Sequence, residues 1–176
     1  LLSKLGLPFQ CASPDIDESP LAGEDAPALV YRLAHAKAQA LASQHKGLII
    51  GSDQVVAVDG LVLSKPGTHQ NAVEQLGRLS GKTVIFYTGL CLLNTLSGHC
   101  QILVEPFQVT VRPLSQEAIE RYLQKEQPYD CAGSFKSEGL GITLFERFEG
   151  RDPNSLVGLP LMALTDMLVK EGIFLP

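Results

Sequence analysis

LIIGSDQVVAVDGLVLSKPG, residues 48–67, is the stretch on which the fold turns. Residues 48–58 are rich in β-branched side chains and almost continuously apolar, as expected of a strand buried on both faces. Asp59-Gly60 predicts a type I′ hairpin turn, with residues 61–64 as the returning strand. A single charged residue, Asp53, interrupts the apolar run, and Lys65 follows the returning strand.

Upstream, residues 28–44 carry Leu29, Val30, Leu33 and Leu41 at helical spacing and predict an amphipathic helix. Downstream, Thr68 caps a helix bearing Ala72, Val73, Leu76 and Leu79, closed by Ser80-Gly81. Residues 83–95 and 99–112 form a long hairpin, in which Pro106 must sit at a bulge or a sheet edge. Ser115 caps a helix over 116–127, ended by Pro128, and a glycine-rich loop covers 129–141. Pro160 starts a last helix that runs to Lys170 and stops at Gly172. At the other end, residues 1–5 look like a final helical turn halted by Gly6 and Pro8, so further residues are expected before them. Residues 9–12 are a short strand candidate, and 13–27 an acidic, proline-rich loop. Hairpins combined with crossovers predict an α/β fold. The expectation is a single domain over 1–176, with a mixed, twisted central sheet flanked by helices.

Composition narrows the function. With 176 residues, 45% of them apolar, the chain can bury a sizeable core. A net charge of −5 argues against a nucleic-acid footprint, which needs a basic stripe. No apolar run reaches the length of a membrane span, and no signal peptide is evident. Cys11, Cys91, Cys100 and Cys131 contain no C-x-x-C pair. Free thiols in a reducing cytoplasm are expected rather than a disulfide or zinc framework.

The candidate chemistry is carried by few residues. Asp53 inside an apolar strand is costly to ionise unless paired or metal-bound. It is either a metal ligand or general base at a cleft, or a carboxylate bonded to nearby backbone amides. Lys37 falls in step with Leu33 and Leu41 on the apolar stripe of its helix. It either reaches into a polar cleft toward phosphate or snorkels past the core. The hairpin spacing allows Lys65 to return to the sheet end that holds Asp53, or to be a plain turn lysine. Asp130 and Glu138 flank a loop with Gly133, Gly139 and Gly141, which matches no P-loop or dinucleotide fingerprint. His35, His45 and His69 are read as helix residues and His99 as a turn residue, without ligand spacing.

Taken in order, DIDES (15–19), RLAHAKAQA (32–40), GSDQVV, LSKPG, YTG (87–89), DCAGSFKSEG (130–139) and NSLVGLPL (154–161) resemble the Maf family of nucleotide pyrophosphatases. GSDQ and Glu138 are similar to its branch acting on 7-methylguanosine triphosphate, whereas a Thr and a Gln mark the pyrimidine-acting branch. The resemblance implies a mixed-sheet α/β fold with a central cleft, often dimeric, so a homodimer is expected. It implies that Asp53 is the catalytic carboxylate and that Lys37 and Lys65 hold phosphates. Glu18 and Asp53 would lie near a divalent metal, Mg²⁺ or Mn²⁺. The implied reaction is hydrolysis of a nucleoside triphosphate to monophosphate and pyrophosphate. The family's Ser-x-x-Arg-Arg phosphate-binding segment has no counterpart here and is expected to precede Leu1. Two other readings are a non-catalytic nucleotide-binding regulator of cell division and a pyrimidine triphosphate pyrophosphatase.

Overall fold

Leu48–Val58 forms strand β1 over the expected residues, and Asp59 and Gly60 both take positive φ, 50° and 78°, as a type I′ turn requires. The structure, a computed structural model, describes residues 1–175. Strand β2 is Leu61–Leu63, β3 Thr83–Asn94, β4 Cys100–Val111 and β5 Phe145–Glu149. The helices are α1 Ala26–Leu41, α2 His69–Leu79, α3 Gln116–Glu126, α4 Asn154–Val157 and α5 Leu161–Lys170.

The five strands make one sheet in the order β2-β1-β3-β4-β5. β1–β2 and β4–β5 pair antiparallel, and β3 turns directly into β4 through an Asn94 amide bond to the His99 carbonyl. The Thr95 amide donates to the Gly47 carbonyl, so the end of β3 lies beside the start of β1, antiparallel again. The expected α/β fold is present, and its mixed sheet is refined. The crossover through α2 joins β2 and β3, which run the same way but are separated by β1. Neighbouring strands therefore remain antiparallel. Pro106 satisfies the edge rule, because β5 pairs with β4 only from Gln108 onward.

The chain folds into two units, and β1, β3 and β4 contribute residues to both. The first comprises Leu1–Gln54, Thr88–Glu105 and the chain from Asp152 onward. Along β3 the side chains alternate: Leu90 and Leu92 pack with Leu161, Leu164, Met167 and Leu168 of α5. Cys91 and Leu93 pack with Ala34 and Ala38 of α1. Each fully buried leucine contributes roughly 1.5–3 kcal/mol of transfer free energy. The four cysteines are free thiols, and burial pushes Cys91 up to about 12. Among the described residues no helix is long and apolar enough to cross a membrane.

The second unit comprises Val55–Tyr87 and Pro106–Arg151. Ala72, Leu76 and Leu79 of α2 and Ile119, Tyr122 and Leu123 of α3 are buried in it. Edge-to-face aromatic contacts run from Phe86 to Phe135 and from Phe135 to Phe145, with centroids 5.2 and 4.6 Å apart.

Some local expectations change. Residues 9–12 form no strand; they are exposed and have no neighbouring strand to pair with. Helix α1 begins two residues early, with Pro27 in its first turn, where a missing amide costs nothing, and Asp25 as cap. His45 lies beyond the end of α1 rather than within it. β5 and α4 are elements that the sequence did not announce.

Candidate functional site

Two glycines set the geometry of the first unit. A Cβ on Gly51 would sit 2.2 Å from the Ala34 carbonyl oxygen, and one on Gly89 would sit 2.1 Å from that of Val30. No side chain fits at either position, so α1 lies directly on β1 and β3 through Ala34 and Ala38. That close approach brings Lys37, one turn beyond Leu33, onto Asp53, the second residue after Gly51.

Lys37 Nζ lies 2.6 Å from Asp53 Oδ1 and 2.7 Å from Glu18 Oε1. The Asp53 side chain is 10% exposed, that of Lys37 21% and that of Glu18 50%. Burial pulls the Lys37 ammonium down, but its bonds to Asp53 and Glu18 outweigh this and hold it above its ordinary value. Lys37 is thus a charged lysine facing two carboxylates. The loop carrying Glu18 is itself fastened to α1. Arg32 grips Glu24 through two bonds of 2.6 and 2.7 Å and also donates to the Ser19 carbonyl.

Alternation along β1 sends Asp53 one way and its neighbours the other. Ser52 Oγ bonds the carbonyls of Gly89 and Gly158, while the Gln54 amide donates to Thr88 Oγ1 and to the Ser155 carbonyl. GSDQ therefore locks the strand to β3 and to the segment around α4, leaving Asp53 for Lys37. Asp152, fully buried, accepts from the Asn154 amide and side chain and from the Met162 amide, fixing the NSLVGLPL segment.

In the second unit, LSKPG is tied down on both sides of Lys65. The Ser64 carbonyl accepts from Gln75, the Pro66 carbonyl from Asn71, and the Gly67 amide donates to the Tyr129 carbonyl. The DCAGSFKSEG loop is equally fixed. Gly133 and Ser134 take positive φ, Ser134 Oγ donates to Gln75 at 2.6 Å, and Phe135 is buried among Phe86 and Phe145. A Cβ on Gly141 would meet the Lys136 carbonyl at 2.3 Å. The loop's glycines serve tight folding, and its charged side chains stand outward from it. Glu138 is exposed, and Lys136 reaches Asp130 at 3.8 Å. The Asp130 carboxyl is held below its ordinary value, first by the Cys131 thiol and a backbone bond, and also by the charges of Lys136 and Lys65.

The structure thus brings Glu18, Lys37 and Asp53 together in one unit, and Lys65, Asp130 and Lys136 around one loop in the other. Sequence reasoning missed Gly51, Gly89 and Lys136. For Lys136 a signal was present, a second lysine two residues before Glu138. His69 bonds Tyr129 and Glu120, and His99 bonds Glu171; neither belongs to the Lys37 cluster.

Among the described residues no three His, Cys, Asp or Glu side chains converge as a metal cage. Two carboxylates on one lysine do suit Mg²⁺ in its common mode, held by one or two carboxylates with the remaining ligands from water and substrate phosphates.

The chain's sequence, with the glycine-mediated helix contact, the Lys–Asp–Glu cluster and the DCAGSFKSEG loop described above, matches a known family. It belongs to the Maf-like protein family, which matches residues 1–171, both units included. The chain is 55% identical over 173 residues to a protein of Nitrosococcus oceani named 7-methyl-GTP pyrophosphatase, covering 98% of this chain and 87% of that one. It is 57% identical over 177 residues to proteins of the same name from Pseudomonas syringae and Pseudomonas fluorescens, covering all of this chain and 92% of each.

Proposed function

We propose that the chain hydrolyses 7-methylguanosine triphosphate, by attack of water at the α-phosphorus, to the nucleoside monophosphate and pyrophosphate. The observation that carries this reading is the Glu18–Lys37–Asp53 cluster in a Maf-family chain whose relatives share that name.

Asp53 orients the attacking water and takes its proton as the oxygen–phosphorus bond forms. The bond from the α-phosphorus to the bridging oxygen breaks, and the electron pair leaves with pyrophosphate. Lys37, held between two carboxylates, stabilises the charge that grows on the phosphate oxygens, and Lys65 is carried over from the family expectation as a further phosphate-holding group. Mg²⁺ or Mn²⁺ near Asp53 and Glu18 would supply neutralisation of the triphosphate's charge. Lys37 is shared by Asp53 and Glu18. Glu138 would read the base, because a carboxylate accepts from both N1–H and the exocyclic amine of guanine. The cationic ring produced by N7 methylation adds direct charge attraction. The homodimer and the cytoplasmic setting are carried over from the family expectation, and size measurement in solution tests the first.

A panel of 7-methyl-GTP, GTP, UTP and dTTP, each with Mg²⁺ and with Mn²⁺, tests the reading. The highest kcat/KM should belong to 7-methyl-GTP, with pyrophosphate released. Turnover of none of them, with tight binding, would favour the regulator.

A further inference from the structure

The second unit carries a basic groove that the catalytic reading does not use. Arg112, just past the end of β4, lines a groove of about 360 Å³ together with Arg121 and Lys125 of α3. Ala118, Arg121, Tyr122 and Lys125 recur at helical spacing, so one stripe of α3 forms a wall of the groove. No Asp or Glu lines it. Among the described residues none of the three bases makes an ion pair with a carboxylate. The Glu117 carboxyl, one turn before Arg121, is held below its ordinary value first by Ser115 and its own backbone amide and then by the charge of Arg121, while Glu126 accepts from the Leu140 amide. In a chain of net charge −5, this groove is lined by three bases and no carboxylate.

The groove is built, not frayed. The Arg112 amide donates to the Leu144 carbonyl, the Gly81 amide donates to the Arg112 carbonyl, and the Leu114 amide donates to Ser80 Oγ. Leu144 and Tyr122 are buried, and with Leu114 they give the groove an apolar wall beside its cations. Two guanidinium forks match the oxygens of a phosphate. The apolar wall calls for a flat organic body as well, and the volume lies at the small end of the usual ligand range, about 300–1,000 Å³.

We propose that this groove is a second ligand site, which binds an organic monophosphate of nucleotide size: phosphate on Arg112, Arg121 and Lys125, ring against Leu114, Tyr122 and Leu144. It does not depend on the catalytic assignment, since none of its residues belongs to the Lys37 cluster or the Lys65 loop.

The test is titration of the whole protein with guanosine monophosphate, following the arginine Nε–H resonances by NMR and the stoichiometry by calorimetry. The Nε–H signals of Arg112 and Arg121 should shift saturably in the wild type. Arg112→Ala and Arg121→Ala should each weaken that site about tenfold or more, with kcat on substrate unchanged. Arg112→Lys with Arg121→Lys keeps the charge but not the forks and should fall between, which guards against a misfolded alanine variant. Inorganic phosphate should bind more weakly than guanosine monophosphate. Unmoved Arg112 and Arg121 signals would overturn the proposal. So would equal affinity for inorganic phosphate, which would leave the apolar wall without a role.

Discussion

Lys37 and Asp53 form an ion pair of 2.6 Å where α1 crosses β1, and the pair exists because Gly51 lets the helix down onto the strand. The two residues lie on different elements, so their separation depends on the depth of that contact. A methyl group at position 51 would run into the Ala34 carbonyl at 2.2 Å, which is backbone and cannot swing aside. Gly51→Ala should therefore lift α1, lower stability by about 1–3 kcal/mol or more, and cut turnover with it. Denaturant unfolding together with kcat/KM checks this. Unchanged values for both would show that α1 has slack at this point.

Asp53→Asn keeps size and hydrogen bonding but removes the charge. Loss of proton transfer should lower kcat by ~10²–10⁴-fold while nucleotide binding is largely kept. Steady-state kinetics with a melting curve on the same sample checks it. Normal turnover from a folded variant would make Asp53 a structural residue.

Acid should loosen the segment that presents Glu18. Arg32, with help from the Leu21 amide, holds the Glu24 carboxyl down at about 2, against an ordinary 4.5. A carboxyl depressed in the folded state contributes stability above its unfolded value, and that contribution is lost as pH falls. Stability should decline from about pH 4.5 toward 2, and Glu24→Gln should flatten that part of the curve. Denaturation midpoints at a series of acid pH values give the slope; the same slope in both proteins would remove Glu24 from the account of acid stability.

Glu138→Gln should erode preference for the methylated guanine. A neutral amide replaces one acceptor by a donor and removes the attraction for a cationic ring. The measure is the ratio of kcat/KM for 7-methyl-GTP to that for UTP, in wild type and variant. An unchanged ratio would place base choice elsewhere.

Much of this was legible beforehand, for definite reasons. β1 and its turn were visible because an apolar run and an Asp-Gly pair are local signals, and the structure returns them unchanged at 48–60. Helical spacing put Lys37 on the apolar stripe of its helix but left snorkelling open, and only the family resemblance pointed it toward phosphate. β5 was not, since FERFE is short and its Glu and Arg side chains face out, so nothing apolar marks it beyond two phenylalanines. The roles of Gly51 and Gly89 were hidden for another reason. A glycine required by close approach of another element looks, in one dimension, like any glycine in a strand. Lys136 showed in the sequence only as a lysine two residues before Glu138, and the folded loop places its side chain near Asp130.

The position of bond cleavage is the centre of the mechanism, and isotope labelling reads it directly. Hydrolysis of 7-methyl-GTP in H₂¹⁸O, followed by mass spectrometry of both products, reports which phosphorus the water attacks. Attack at the α-phosphorus beside Asp53 requires one ¹⁸O in the nucleoside monophosphate and none in pyrophosphate. Label in pyrophosphate, or orthophosphate as the released product, would contradict it.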